Sequence, residues 1–152
     1  MTDVELWQAF HARTLPAKDW THEAHLRVAY LYTRLYGIDE AHLLFRIHLI
    51  RLNTFHEVPE SKDRGYHDTL TRGWLVLVAD AIRKDGMRVG EGEAAVPRRG
   101  TESLDFLARH PEFQNRKIML NHYTRDRINS VEARARWVEP DAVPLPDLLR
   151  AH

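Results

Sequence analysis

Apolar side chains recur along this chain at helical spacing. Val4, Trp7, Phe10 and His11 fall at i, i+3, i+6 and i+7, one face of a helix over 3–13 that Leu15-Pro16 ends. A second helix is expected over 21–36. Thr21 suits its N-cap, Glu23 its positive end and Gly37 its stop. A third begins after Asp39 and runs to 55. It is apolar around most of its circumference, so it is expected to be the most buried helix, either central or the face of a homodimer. After a polar loop from Pro59 to Arg64, a fourth helix covers 66–84, closed by Asp85-Gly86.

Four glycines in 86–100 predict a mobile loop. A short helix over 101–109 follows with Thr101 as its cap. Pro111 then suits the first position of a helix over 111–123, and a further helical stretch covers 125–136. The tail from 138 to 149 holds three prolines and should be irregular, pinned by Trp137 and Leu145. The expectation is one all-α domain over 1–152: a compact bundle of four to six helices with an irregular, proline-containing C-terminal tail.

Composition narrows the function. With 22 basic and 22 acidic residues the chain lacks the basic excess of a nucleic-acid binder. It has no cysteine, hence no disulfide, thiolate metal site or cysteine nucleophile. The first ten residues are acidic and amphipathic, unlike a signal peptide, and the longest apolar run, Trp74 to Ala79, is too short to span a membrane. A cytoplasmic location is expected. What stands out is ten histidines in 152 residues.

On a helical wheel of 21–36, Glu23, Arg27 and Arg34 form a polar arc expected to face water. His22 and His25 lie opposite, among Leu26, Ala29, Tyr32 and Tyr36, and are neighbours at i, i+3. On 66–84, Arg72, Asp80 and Arg83 mark the wet side. His67 centres the apolar side with Thr71 and Trp74, and Asp68 sits at its edge. Short links make sequential helices antiparallel, so the first turns bearing His22, His25 and His67 share one end of the bundle. Asn53, His56 and Glu57 at the end of the third helix, and His11 on the first, should arrive there too. His122 would join if 111–123 packs antiparallel to 66–84. His42 and His48 should lie away from that end.

Two imidazoles at i, i+3 and a third from another helix make a metal-capable set. The ion would be divalent zinc, iron, nickel or manganese. Glu57 or Asp68 would complete the set or act as general base on a metal-bound water, and the partner would be a small-molecule substrate. The alternative is a metal-free pocket for an apolar or lipid-like small ligand, lined by Tyr32, Asn53, His56 and Thr71, with histidines as polar anchors. The third reading is a buried hydrogen-bond network. An HD-type phosphohydrolase set can be drawn from His22 or His25, His67-Asp68 and Asp80 or Asp126. The residues after the pair, Thr69-Leu70-Thr71, depart from that superfamily.

Three stretches resemble a family of small bacterial helical proteins with W-T-H-x-x-H-L and G-Y-H-[DE]-T-[LIV]-T segments. They are Trp20 to Leu26, Gly65 to Thr71, and Ser130 to Arg134 with the later Pro140-Asp141 and Leu145-Pro146. The resemblance carries no activity. It usually has Glu where this chain has the shorter Asp68.

Overall fold

The computed structural model describes residues 1–93 and 100–148. Among them are seven α-helices and no strand: α1 (Asp3–Ala12), α2 (His22–Tyr36), α3 (Ile38–Phe55), α4 (Asp68–Lys84), α5 (Glu102–Arg109), α6 (Arg125–Ile128) and α7 (Val131–Ala135). Single 3-10 turns occupy Ala17–Asp19, Pro111–Gln114 and Ile118–Asn121. The chain is thus the all-α bundle expected, with five helices of eight residues or more and two short ones.

Local chemistry starts most of these elements. Thr2 and Glu5 close a capping box on α1, and Thr21 Oγ1 accepts the Ala24 N–H at the start of α2. Helix α3 follows α2 after Gly37 alone, whose φ of +79° reverses the chain.

The core centres on α2 and α4, which bury eleven residues each. Helix α3 is not the most buried element. It buries only Ala41, Phe45, Leu49 and Leu52, and exposes Leu43, Ile47 and Phe55. Helix α2 instead lies among α1, α3, α4 and α5, which leaves water only its ends, where Glu23 is exposed as expected. Arg27 and Arg34, expected in water, are therefore buried, and Asp80 on α4, also expected in water, is buried too.

Each buried arginine has partners from distant sequence. Arg27 donates to Asp3 Oδ1 at 3.0 Å, Ser103 Oγ at 2.8 Å and the Met1 carbonyl at 2.8 Å. Asp3 also accepts the Ser103 N–H at 3.0 Å, so it caps α5, whose own Thr101 makes no side-chain cap. Arg34 reaches Glu91 at 2.8 Å and the Arg88 carbonyl at 2.7 Å.

The glycine segment after α4 was expected to be mobile. Its described part is bonded to the end of α2 instead. Gly90, Glu91 and Gly92 donate their N–H groups to the carbonyls of Thr33, Arg34 and Leu35; Thr33 also accepts the Gly37 N–H, while the helix end leaves the other two open. A Cβ at Gly90 would sit 3.2 Å from the Gly37 nitrogen, so this approach needs glycine. Positions 94–99 of that loop lie outside the described residues, as do 149–152 of the tail.

No α-helix forms over 111–123. The Asn115 Oδ1 accepts the Lys117 N–H at 3.0 Å, and this local turn competes with helix propagation between the two 3-10 turns. The rest of the chain runs back over the bundle on single apolar anchors: Phe113, Met119, Tyr123, Ile128, Ala133 and Val138 are all buried. Thr69 ties it to α4, donating to the Arg136 carbonyl and accepting the Val138 N–H. The tail is irregular as expected, with Trp137 and Leu145 packed against the core.

Candidate functional site

The first turns of α2 and α4 meet at a cavity of about 500 Å³. His22, His25 and His67 all line it, with Asn53 from the end of α3 and Thr71 from α4. These five residues were expected at one end of the bundle, and they do meet there. Apolar surface from Trp20, Leu26, Phe45, Leu49, Leu70 and Trp74 forms much of the wall.

Each ring has one nitrogen on a backbone carbonyl, and because a carbonyl can only accept, that nitrogen carries a hydrogen. His22 Nε2 donates to the Phe113 carbonyl at 2.7 Å, so in the neutral ring Nδ1 is an acceptor. His25 Nδ1 donates to the Thr21 carbonyl at 2.7 Å, which leaves Nε2 an acceptor. His25 also stacks on Trp20 with centroids 3.8 Å apart. Burial deep in the cavity wall, opposed in part by the Thr21 bond, pushes its pKa down to about 4. At neutral pH the ring is uncharged.

His67 is committed at both nitrogens. As the N-cap of α4 its Nδ1 accepts the Leu70 N–H at 3.1 Å, and its Nε2 donates to the Ile128 carbonyl at 2.7 Å. Burial lowers its pKa, with the Ile128 bond acting the other way.

The other candidates lie elsewhere. Asp68 is buried beside the cavity but does not line it. It accepts from the Tyr66 hydroxyl at 2.6 Å and His42 Nε2 at 2.8 Å, and pairs with Arg46 at 3.2 Å. Burial would raise its pKa, but the bonds from Tyr66 and His42 outweigh burial and hold it low. His42 is therefore not remote from this end. The link between α3 and α4 folds back, so that Asp39 pairs with Arg72 at 2.9 Å and His42 faces Asp68. Arg134 holds that link through the Lys62, Gly65 and Tyr66 carbonyls.

Glu57 is exposed in a left-handed conformation, φ +59°, at the end of α3, away from the cavity lining. His56 donates to the Leu15 carbonyl at 2.7 Å and joins α3 to the segment after α1. Tyr32 is buried against His11 Nε2, and His11 Nδ1 donates to the Trp7 carbonyl at 2.7 Å. His48 joins that second aromatic cluster, 4.5 Å from the His11 ring. His122 bonds the Val143 carbonyl. Neither Asp80 nor Asp126 lines the cavity.

Three features of the site had no local sequence signal. The Phe113 and Ile128 carbonyls are reached only by tertiary folding. Arg116 lines the cavity because 111–123 is not a helix. Trp20 was legible only as the first residue of a resembling segment. Among the described residues no group of three or more His, Asp or Glu side chains is arranged to hold one metal ion. None of the helices described is long and apolar enough to cross a membrane. Compared with protein-family models, curated proteins and solved structures, the chain matches none.

Proposed function

We propose that this protein binds a small, largely apolar molecule in the cavity between the first turns of α2 and α4, without a metal ion. The observation that carries this is the cavity itself: about 500 Å³, walled by aromatic and aliphatic side chains with a few polar groups among them. The chemistry of the histidines supports it. A metal at His67 Nδ1 would have to displace the Leu70 N–H, which costs the α4 cap, and one at Nε2 would have to displace the Ile128 carbonyl, which costs a tertiary contact. His22 and His25 keep one ring nitrogen each for a guest, too few for the three-ligand site of catalytic zinc.

Titration with the neutral fluorophore N-phenyl-1-naphthylamine tests the reading. Its about 17 heavy atoms at about 0.3 kcal/mol each give about 5 kcal/mol, a dissociation constant on the order of 100 µM. Asn53→Trp places an indole in the cavity, and Asn53 makes no side-chain hydrogen bond among the described residues. The expected result is one-to-one binding, lost in Asn53→Trp with helicity retained. Absence of binding overturns the reading. So does about one equivalent of zinc, iron, nickel or manganese that survives purification and is lost in His22→Ala.

A further inference from the structure

The polar groups of the cavity are unevenly distributed. Among the described residues, Arg116 is the one charged side chain in its lining, with no Asp or Glu beside it. Arg116 makes no salt bridge among the described residues, and its charge acts directly on His25. Arg116 and the Asn53 amide are donors. With their other nitrogens held by the Thr21 and Phe113 carbonyls, His25 Nε2 and, in the neutral ring, His22 Nδ1 are bare acceptors. Trp20 and Trp74 supply flat walls: Trp20 stacks on His25, and Trp74 meets His22 edge-on with centroids 5.3 Å apart.

We infer that the guest is a small aromatic carboxylate that also carries an N–H or O–H donor: the carboxylate meets Arg116, the ring lies along the tryptophan walls, and the donor meets a bare histidine nitrogen. This rests on the cavity being a ligand site and adds the class of ligand. Each part follows from complementarity. A guanidinium without an acidic partner favours an anion over an isosteric neutral group. An imidazole nitrogen fixed as acceptor rejects an analogue that has no donor to offer. A cationic guest would meet Arg116 with no carboxylate in the lining to offset it.

Three probes of similar size separate these parts: indole-3-acetate, indole-3-acetamide, which lacks the charge, and 1-naphthylacetate, which lacks the ring N–H. Calorimetric titration at pH 7 is expected to rank indole-3-acetate about tenfold tighter than either of the others. Arg116 is exposed, so Arg116→Gln should fold. It is expected to weaken the two acids about tenfold and leave the amide unchanged. Equal binding of all three probes, or an Arg116→Gln variant that weakens the amide as much as the acids, overturns the ligand class and leaves the cavity reading standing. Failure of every probe, together with failure of the neutral fluorophore, overturns both.

Discussion

Replacing Asp3 by alanine should destabilise the protein more than any single change at the cavity. The carboxylate is fully buried and the Arg27 side chain is only 7 % exposed. Asp3 accepts from Arg27 Nη2, the Ser103 N–H and the Ser103 hydroxyl. Its loss leaves a buried guanidinium whose remaining bonds are to the Ser103 hydroxyl and the Met1 carbonyl. Breaking a buried pair from one side costs about 3–5 kcal/mol, and the lost cap on α5 adds about 1 kcal/mol. Two surviving bonds to Arg27 argue for the lower part of that range, so Asp3→Ala should cost about 4 kcal/mol. Against a total stability of about 5–15 kcal/mol that is a large fraction. Urea denaturation followed by circular dichroism measures it as a fall in midpoint at constant slope. Arg27→Met should cost less, because the carboxylate keeps both Ser103 donors. The double variant should cost at least about 2 kcal/mol less than the two singles added, since removing both partners removes the orphaned charge. A cost below about 1 kcal/mol for Asp3→Ala, or strict additivity, would refute the claim that this pair joins α1, α2 and α5.

Further outcomes follow from other parts of the fold. His67→Ala should cost about 2–3 kcal/mol in denaturant, while His67→Asn should recover about 1 kcal/mol of that by restoring the cap alone. Equal losses for the two would show that the cap does not matter. At the end of α3, Val58 N–H bonds the Asn53 carbonyl and Glu57 N–H that of Thr54, with Glu57 at φ +59° where glycine is preferred. Glu57→Gly should therefore raise stability by about 1 kcal/mol, and a lower melting temperature would contradict this. For pH, the folded His25 pKa of about 4 lies below the ordinary value of 6.5, so the unfolded chain takes up the proton first. Stability should then fall as pH drops below 6.5 and level off below about 4, a loss of about 2 kcal/mol once the ring's remaining access to water is allowed for. His11 and His48, also lowered by burial, act in the same direction. His25→Phe should flatten that slope, and an unchanged profile would remove His25 as its source.

What the sequence could supply was what period and caps encode. Thr21 and the i, i+3 pair of His22 and His25 are properties of a helix by itself; His67 meets that pair as expected, but from the N-cap just before α4 and not from within the helix. Periodicity misplaced Arg27 and Arg34 because it reads a charge as a sign of water. Their partners, Asp3, Ser103 and Glu91, lie between 24 and 76 positions away. The register of α4 on α3 was hidden for a similar reason. It depends on Arg134 holding the backbone of the α3–α4 link, and that shift placed Asp68 against His42 and Tyr66 instead of in the cavity. Pro111 marked a correct start but not a length, since Asn115 stops the helix within four residues.

His22 and His67 each close a bond onto a backbone carbonyl of the last third of the chain, at Phe113 and Ile128. That third has no long helix face buried on the bundle, so it should open at a lower free energy than α2 or α4, as a local event. The two imidazoles thus act as latches between a rigid cradle and a softer outer layer. The time a guest stays bound should therefore be governed by how long those latches hold as well as by the contacts it makes. Amide hydrogen exchange in residues 113–128 should slow on binding, while exchange in α2, already slow, should change little.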